Sequence, residues 1–408
     1  MLIEPMPRAR SVSVGLWIAA GSRRDPAGRE GLAHLLEHLL FKGTPRRGAR
    51  ALAEAMDALG GQFNAFTTRD LTCYHARTLG RRFGDGLALL AEMVAQPRLD
   101  AQDLERERQV VLDELAAIED DPGETAEELL GPALWGAHPI GRPQAGTPQT
   151  VRTMAIEELT AFHRRHYVGR QLVVAVAGQV SPDRALAQVA AALGGLPAGA
   201  EPEWQERPRP QPRAHRRARR SAQAHVLCAT AAPTAVDEGH WATALLASVL
   251  GGSPSSRLFQ AIREEDGLCY DVGATYNDDV DAGELTVYLA TSPAHASAAT
   301  ERALSQVRLL ARDGVPQAEL LRHRDQLLAG LWMTMEGCES RMVRLGRLAT
   351  CGLPLVPPSQ VAAALRAVRP GQVRAQAAAL GDPAAWAAVY VGPAAHAPGV
   401  WRWGADGA

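Results

Sequence analysis

The sequence predicts an α+β protein made of two similar domains. Its 408 residues exceed what one ordinary hydrophobic core supports, so two or more domains are expected. Segments with the period-two alternation of strands are interspersed with segments that have helical periodicity. The second half of the chain also repeats patterns of the first half in the same order, which indicates a duplicated domain.

The first strand and the helices beside it follow from local patterns. Residues 11–19 place valine, leucine and isoleucine at alternate positions, which predicts a strand. A leucine-rich helix is expected within residues 31–43, and a second helix at 49–59 ends at a glycine pair. Two paired strands follow at 62–68 and 70–79, because both segments are rich in β-branched and aromatic residues.

Four helices and a buried strand complete the first half. The strand is an uninterrupted apolar run, which is typical of a strand covered on both faces. Asp103 lies near the start of the longest helix as a possible cap, and Pro122 breaks the pattern after it. The predicted helices are 82–95, 100–119, 123–135 and 156–166, and the predicted strand is 172–177.

Residues 197–221 are the predicted linker between a first domain (1–196) and a second domain (222–408). This segment is dense in proline and arginine. Proline resists regular structure and the arginines repel one another, so an extended linker is expected. A nucleic-acid-binding patch is the alternative, but the segment lacks interleaved aromatic residues and the chain is slightly acidic.

Three alignments support the duplication. Residues 70–76 (DLTCYHA) align with residues 284–290 (ELTVYLA) at an offset of 214. The same offset aligns the strand ending at Gly178 with residues 386–392, and the Leu35-Leu36 pair aligns with Leu245-Leu246 at an offset of 210. Nearly constant spacing in one order indicates two copies of one domain.

The composition excludes several classes of protein. The hydrophobic fraction is 46% and the net charge is -2, so a nucleic-acid partner is not expected. No apolar run approaches membrane-spanning length, and the first residues do not resemble a signal peptide, so no membrane partner is expected. The five cysteines form no Cys-x-x-Cys pair, which is typical of reduced thiols in a cytoplasmic protein.

The strongest chemical signal is the sequence His-x-x-Glu-His. Residues i, i+3 and i+4 share one face of a helix, so His34, Glu37 and His38 point the same way. Three ionisable groups on a buried helix are costly unless something binds them, and this motif is the inverted zinc-peptidase signature. The alternative is a chance match with both histidines hydrogen-bonded in a core.

The second copy of the domain argues against the chance match. Ala244, Ala247 and Ser248 stand at the positions of the three ionisable residues. Packing alone would not require the two copies to differ at all three positions. The contrast therefore favours a metal site in the first copy.

Zinc in a hydrolase usually takes three protein ligands and leaves one position for water. Glu37 lies between the histidines, so its natural role is general base, taking a proton from zinc-bound water as that water attacks a carbonyl. The helix at 100–119 could supply the third ligand. Its spacing leaves four candidates open, namely Glu105, Glu107, Glu114 and Glu119.

These residues make the sequence similar to the pitrilysin (insulinase) family of zinc metallopeptidases, the inverzincins that include insulin-degrading enzyme and the mitochondrial processing peptidase. The likeness runs in order from about Met6 to Gly392, which is nearly the whole chain. The matching segments are 31–38 (GLAHLLEH), 60–67 (GGQFNAFT), the acidic helix through Glu107 and Glu114, 251–259 (GGSPSSRLF) and 262–270 (IREEDGLCY).

The resemblance implies a zinc endopeptidase that acts on peptides or unfolded segments and holds one Zn²⁺ per chain. His34, His38 and Glu114 would be the zinc ligands and Glu37 the general base. Glu107 would orient a ligand histidine through a hydrogen bond.

The resemblance also implies residues that bind the peptide. Asn64 and Ala65 would lie on an edge strand to which the peptide adds by main-chain hydrogen bonds. Arg263 and Tyr270 match the family pair that reaches from the second domain to hold the substrate and polarise its carbonyl. The residues alone would favour a surface ion pair for Arg263 and a core aromatic for Tyr270.

The resemblance finally implies an architecture and a partner. Each domain would be a mostly antiparallel sheet covered by helices, and the two domains would form half of a clamshell. The clamshell would be completed by a second chain, so a homodimer is expected, with a heterodimer or a non-catalytic subunit as the alternatives. Family members usually have an additional strand before the segment at Ser11, which this chain is expected to lack.

Overall fold

Two five-stranded sheets organise the molecule, described here from a computed structural model that covers residues 1–203 and 206–401. The strands of the first sheet are β1 (Leu2–Pro5), β2 (Ser11–Ile18), β3 (Gln62–Thr67), β4 (Thr72–Leu79) and β5 (Leu172–Gly178). The strands of the second sheet are β6 (Ala214–Ala218), β7 (Ala224–Ala232), β8 (Cys269–Asp278), β9 (Gly283–Thr291) and β10 (Trp386–Gly392).

The two sheets have the same topology. The strand order is β1-β5-β2-β4-β3 in the first and β6-β10-β7-β9-β8 in the second. In each sheet one edge pair, β1 with β5 or β6 with β10, is parallel, and the other neighbours are antiparallel. The expectation of an α+β protein with two similar, mostly antiparallel domains is confirmed.

Helices cover both sheets. The helices of the first half are α1 (Leu32–Leu40), α2 (Ala49–Ala58), α3 (Phe83–Ala95), α4 (Ala101–Asp120), α5 (Pro122–Trp135), α6 (Pro148–Thr153), α7 (Ile156–His166) and α8 (Pro182–Leu193). The helices of the second half are α9 (His240–Gly251), a π-helical segment (Phe259–Glu265), α10 (Ala296–Asp313), α11 (Gln317–Thr334), α12 (Cys338–Thr350), α13 (Pro358–Ala367) and α14 (Pro370–Ala379).

The chain forms two compact units that exchange helices. The first unit takes Met333–Leu355 from the second half of the chain, and the second unit takes Ala117–Gly141 from the first half. As a result, α12 packs on the first sheet and α5 packs on the second. The units therefore differ from the continuous domains (1–196 and 222–408) expected from the sequence.

Small residues allow α12 to approach the first sheet closely. A Cβ on Gly346 would lie 2.0 Å from the Trp17 ring, and a Cβ on Gly15 would lie 2.5 Å from Met342 Sδ. The buried Cys338 Sγ is 3.2 Å from Ser13 Oγ on β2. The first sheet therefore has apolar helices on one face and α12 on the other.

Two edge strands correct the sequence analysis. The expectation that the first sheet lacks a strand before Ser11 is wrong, because β1 pairs with β5 and aligns Leu2 with Ala175. The linker segment is not uniformly irregular, because its residues Ala214–Ala218 form β6 on the equivalent edge of the second sheet. An edge strand exposes one side to water, so it tolerates the arginines that suggested a linker.

Arginines of this same segment have intramolecular partners. Arg217 Nη2 lies 2.5 Å from Glu119 Oε1. Arg219 donates to the backbone carbonyls of Glu119 and, at 2.8 Å, Asp120. These contacts place positive charge at the C-terminal end of α4, where the helix dipole favours it.

Candidate functional site

Helix α1 presents three ionisable side chains from an otherwise buried element. Its five leucines are at most 1% exposed, while His34, Glu37 and His38 are partly accessible. Asp25 fixes the start of the helix, since its carboxylate accepts hydrogen bonds from the backbone N–H groups of Gly31 (2.8 Å), Leu32 and Ala33. Burial raises the pKa of Asp25 to about 8, and those three donors oppose that rise.

The structure brings His34, His38 and Glu114 together. One possible ligand atom from each lies within 4.8 Å of the others. His38 Nε2 is 3.7 Å from Glu114 Oε2, and the two imidazole rings are 4.8 Å apart between centroids. Two imidazoles and one carboxylate are a donor set that suits Zn²⁺ with one position left open.

The surroundings of His34 fit a metal ligand. Its Nδ1 is buried and has no hydrogen-bond partner among residues 1–203 and 206–401. Burial, and then the neighbouring His38, lower the pKa of His34 to about 4, so the imidazole is neutral at pH 7. A buried unpaired nitrogen costs free energy and neutral imidazole is the form that binds a metal, so the donor set fits zinc.

Glu107 lies behind His38 and is only 5% exposed. Its Oε2 is 3.3 Å from His38 Nδ1, and its Oε1 is 2.7 Å from Lys42 Nζ. When His38 Nδ1 donates to this carboxylate, Nε2 is left with a lone pair on the side of Glu114. The other two candidates from spacing are elsewhere: Glu105 pairs with Arg108 and Glu119 with Arg217.

Glu37 is held by a residue that the sequence analysis did not single out. Thr67 Oγ1 donates a hydrogen bond to Glu37 Oε2 at 2.5 Å. Burial raises the pKa of Glu37 above its ordinary value, and the bond from Thr67 and the charge of His38 act against that rise. A carboxylate with a raised pKa is suited to proton transfer near neutral pH.

Thr67 links Glu37 to the edge of the first sheet. It is the last residue of β3, and it is 5% exposed. Its only sequence signal was its place at the end of the GGQFNAFT segment. Asn64 and Ala65 belong to the same strand, opposite His75 and Tyr74 of β4. In the described sheet the other side of β3 carries no strand.

Arg263 and Tyr270 lie together in the second unit. The Arg263 guanidinium carbon is 4.7 Å from the Phe259 ring centroid and 5.9 Å from that of Tyr270. Tyr270 is 71% exposed, which contradicts a core aromatic. Arg263 also lies 4.0 Å from Glu264, the surface ion pair that the residues alone favoured.

The structure also bears on the expectations about membrane-spanning segments and about the cysteines. In the described part of the chain, no helix is both long enough and apolar enough to cross a membrane. Cys73, Cys228 and Cys338 are buried free thiols.

The chain matches known families and proteins over most of its length. Residues 1–148 match the insulinase family (peptidase family M16), and residues 153–327 match the peptidase M16 inactive domain. A Mycobacterium tuberculosis protein named as an uncharacterized zinc protease is 40% identical over 85% of this chain and 80% of its own. A Bacillus subtilis protein with the same description is 33% identical over 85% of each chain.

Solved structures share the fold. A structure from Pseudomonas fluorescens, described as a peptidase M16 inactive domain, has a TM-score of 0.90 at 24% identity and covers 96% of this chain and 95% of its own. A protease from Helicobacter pylori has a TM-score of 0.90 at 19% identity, over 96% and 97%.

Proposed function

This chain belongs to the insulinase family, peptidase family M16, and on that premise we propose that it is a zinc-dependent endopeptidase acting on peptides or unfolded segments. The observation that carries the proposal is the grouping of His34, His38 and Glu114 on the same side of α1 as Glu37. The names of the relatives support the use of zinc.

His34, His38 and Glu114 would hold one Zn²⁺ per chain. When bound, the ion supplies Lewis acidity that polarises a carbonyl and lowers the pKa of a coordinated water. Glu107 contributes by orienting His38 through the hydrogen bond to Nδ1.

Glu37 is the residue that moves the proton. Its Oε2 is occupied by Thr67, so its other oxygen is available to take a proton from the attacking water. The same carboxyl group then gives that proton to the departing amine nitrogen, which restores the carboxylate. Burial raises its pKa, which makes the carboxylate a stronger base toward that water.

The peptide would bind as an additional strand on β3, along Asn64 and Ala65. Arg263 and Tyr270 would contact the substrate, for which an exposed phenol beside a guanidinium is suited. These roles rest on the resemblance, and substitution of either residue with alanine should raise KM or lower kcat for a peptide substrate.

The proposal is tested by metal analysis together with a quenched-fluorescent peptide assay on the wild type and Glu37→Gln. We expect about one zinc per chain and cleavage that chelators abolish. Glu37→Gln should keep its zinc and lose cleavage by about 10²–10⁴-fold, the range of general-base catalysis. Glu54→Gln, which changes an exposed carboxylate of α2, is the matched control and should behave as wild type. Full activity in Glu37→Gln would contradict the role of Glu37 as general base.

The alternative is a chain that cannot cleave alone, either a non-catalytic subunit or one that needs a related partner. The presence of all three candidate ligands and Glu37 argues against a non-catalytic subunit. Light scattering of the purified chain tests the expected homodimer, and cleavage that begins only after a related chain is added would favour the heterodimer. Cell fractionation tests the cytoplasmic location expected from the cysteines.

A further inference from the structure

Lysine occurs once in this chain, at position 42, whereas arginine occurs 42 times. Histidine aside, every other basic side chain of the sequence is therefore an arginine guanidinium. The single ammonium lies four residues after His38, next to the candidate zinc site. A lone exception at that place suggests a role that arginine does not fill.

The contacts of Lys42 identify that role. Its Nζ lies 2.7 Å from Glu107 Oε1, and the Glu107 side chain is only 7% exposed. The second oxygen of the same carboxylate lies 3.3 Å from His38 Nδ1. Lys42 therefore balances the charge of Glu107 and fixes the oxygen that does not contact His38.

The backbone around Lys42 is tied to both helices of the site. Its N–H donates to Leu39 O at the end of α1, and its C=O accepts a hydrogen bond from Arg98 Nη2 at 3.1 Å. Arg98 also pairs with Asp103 in the first turn of α4. These contacts hold the lysine stem between α1, which carries both histidines, and α4, which carries Glu107 and Glu114.

The chemistry of the two cations explains why position 42 favours lysine over arginine. An ammonium is a compact point charge that can bind one carboxylate oxygen, whereas a guanidinium is a planar fork that tends to bind both. At Glu107 the second oxygen is already in contact with His38. A guanidinium at position 42 would compete with His38 for that oxygen.

We propose that Lys42 is a positioning residue of the zinc site, which acts through Glu107 and requires an ammonium group. This inference rests on the proposed function, because it assumes that His38 is a zinc ligand. It goes beyond that function by assigning a role to a side chain outside the donor set.

The zinc dissociation constant, measured by competition with a chromophoric chelator, tests the proposal. Lys42→Met and Lys42→Arg should each weaken zinc binding by about 10-fold, since loss of the groups that orient a ligand typically costs 10–100-fold. Arg47→Lys is the matched control, because Arg47 pairs with the partly buried Glu92 close by in the sequence, and it should stay within about twofold of wild type. The thermal unfolding of the zinc-free variants is measured alongside.

Chemical modification of the folded wild type gives a second test that does not depend on refolding. Acetylation in the zinc-free state removes the charge of the single lysine, and reductive dimethylation keeps it. Both reactions also modify the α-amino group with the same difference in charge, so the same treatments of Lys42→Met measure that contribution. We expect about 10-fold weaker zinc binding after acetylation and near-normal binding after dimethylation.

The outcomes separate the two proposals. Wild-type chain that binds no zinc contradicts the proposed function and this inference together. Zinc binding in the wild type that is unchanged in Lys42→Met and after acetylation overturns the role of Lys42 alone. Zinc binding that is weak in Lys42→Met but normal in Lys42→Arg overturns the requirement for an ammonium.

Discussion

The first and second units carry equivalent helices, α1 and α9, with different chemistry. In the first unit His38 of α1 contacts Glu107 of α4 at 3.3 Å. In the second unit Ser248 of α9, at the position of His38, contacts His323 of α11 at 3.2 Å. Helices α4 and α11 occupy the same place in the order of elements. A polar contact between these helices is therefore common to both units, whereas the full donor set occurs in one.

The two contacts also differ in their access to solvent. His323 is fully buried and Ser248 is 7% exposed. In the first unit the side chains of His38 and Glu114 are 18% and 43% exposed. The second unit therefore has a buried polar bridge between two helices, and the first unit combines the same bridge with solvent-accessible donor atoms.

The largest expected effect comes from replacing the two histidines of α1 with the residues at the equivalent positions of α9, Ala244 and Ser248. His34→Ala combined with His38→Ser should weaken zinc binding by well over 100-fold, beyond the usual effect of residues that only orient a ligand. The zinc-free protein should remain folded, because the double substitution removes the unpaired His34 Nδ1. Metal analysis and thermal unfolding in chelator check both points.

The exposed His295, changed to alanine, is the control for the loss of a histidine and should retain zinc. Stoichiometric zinc in the double variant would show that the group on α1 is not the metal site, and the contrast between the units would lose its functional meaning.

A smaller effect is expected at Thr67, which links β3 to Glu37. Thr67→Val keeps the shape and the strand propensity but removes the hydrogen bond to Glu37 Oε2. We expect kcat to fall about 10-fold, since hydrogen bonds to charged groups contribute about 1.5–3 kcal/mol, while zinc affinity stays the same. Steady-state kinetics with a peptide substrate measure the change.

Thr67→Ser retains the hydroxyl and should restore most of the rate. Equal loss in the serine and valine variants would mean that the methyl group, and not the hydrogen bond, matters at this position.

The smallest effect is expected from the polar bridge of the second unit. Burial first, and then the charge of Arg322, lower the pKa of His323 below the ordinary 6.5. The unfolded chain therefore binds more protons than the folded one as the pH falls below 6.5, and folding stability is lost in that range. Denaturant unfolding from pH 7 to pH 5 should show that the wild type loses stability more steeply than His323→Leu, with zinc content unchanged.

Two parallel pH profiles for the wild type and His323→Leu would contradict that assignment. A loss of zinc in this variant would contradict the assigned contrast between the units, because it would mean that His323 of the second unit affects zinc binding.

The sequence predicts the central strands of the two sheets better than the strands at their edges. The central strand β2 is found because its alternation is local. The central strand β4 is found because its segment is rich in β-branched and aromatic residues and aligns with residues 284–290. The short edge strands β1 and β6 are missed, because a four-residue segment and an arginine-rich segment become strands only by pairing with β5 and β10. The exchange of α5 and α12 is missed for the same reason, since it depends on contacts between distant parts of the chain.

The site shows the same limit. Helical spacing alone places His34, Glu37 and His38 on one face, but it leaves four carboxylates open as the third ligand, and only the family resemblance singles out Glu114. The contact between Thr67 and Glu37 depends on how β3 packs beside α1. Lys42 had a signal in composition, as the single lysine of the chain, but that signal gains meaning only from its contact with Glu107.

The exchange of helices also has a consequence for the order in which the chain can fold. The strands of the first sheet are all synthesised by Gly178, yet its second face is covered by α12, and Ser13 is 325 positions from its contact Cys338. Until α12 leaves the ribosome, the face of the sheet that includes Trp17 lacks its cover. Contacts this distant in sequence slow folding and leave apolar surface open to aggregation. A nascent chain that has completed the His-x-x-Glu-His motif is therefore still an unfinished domain.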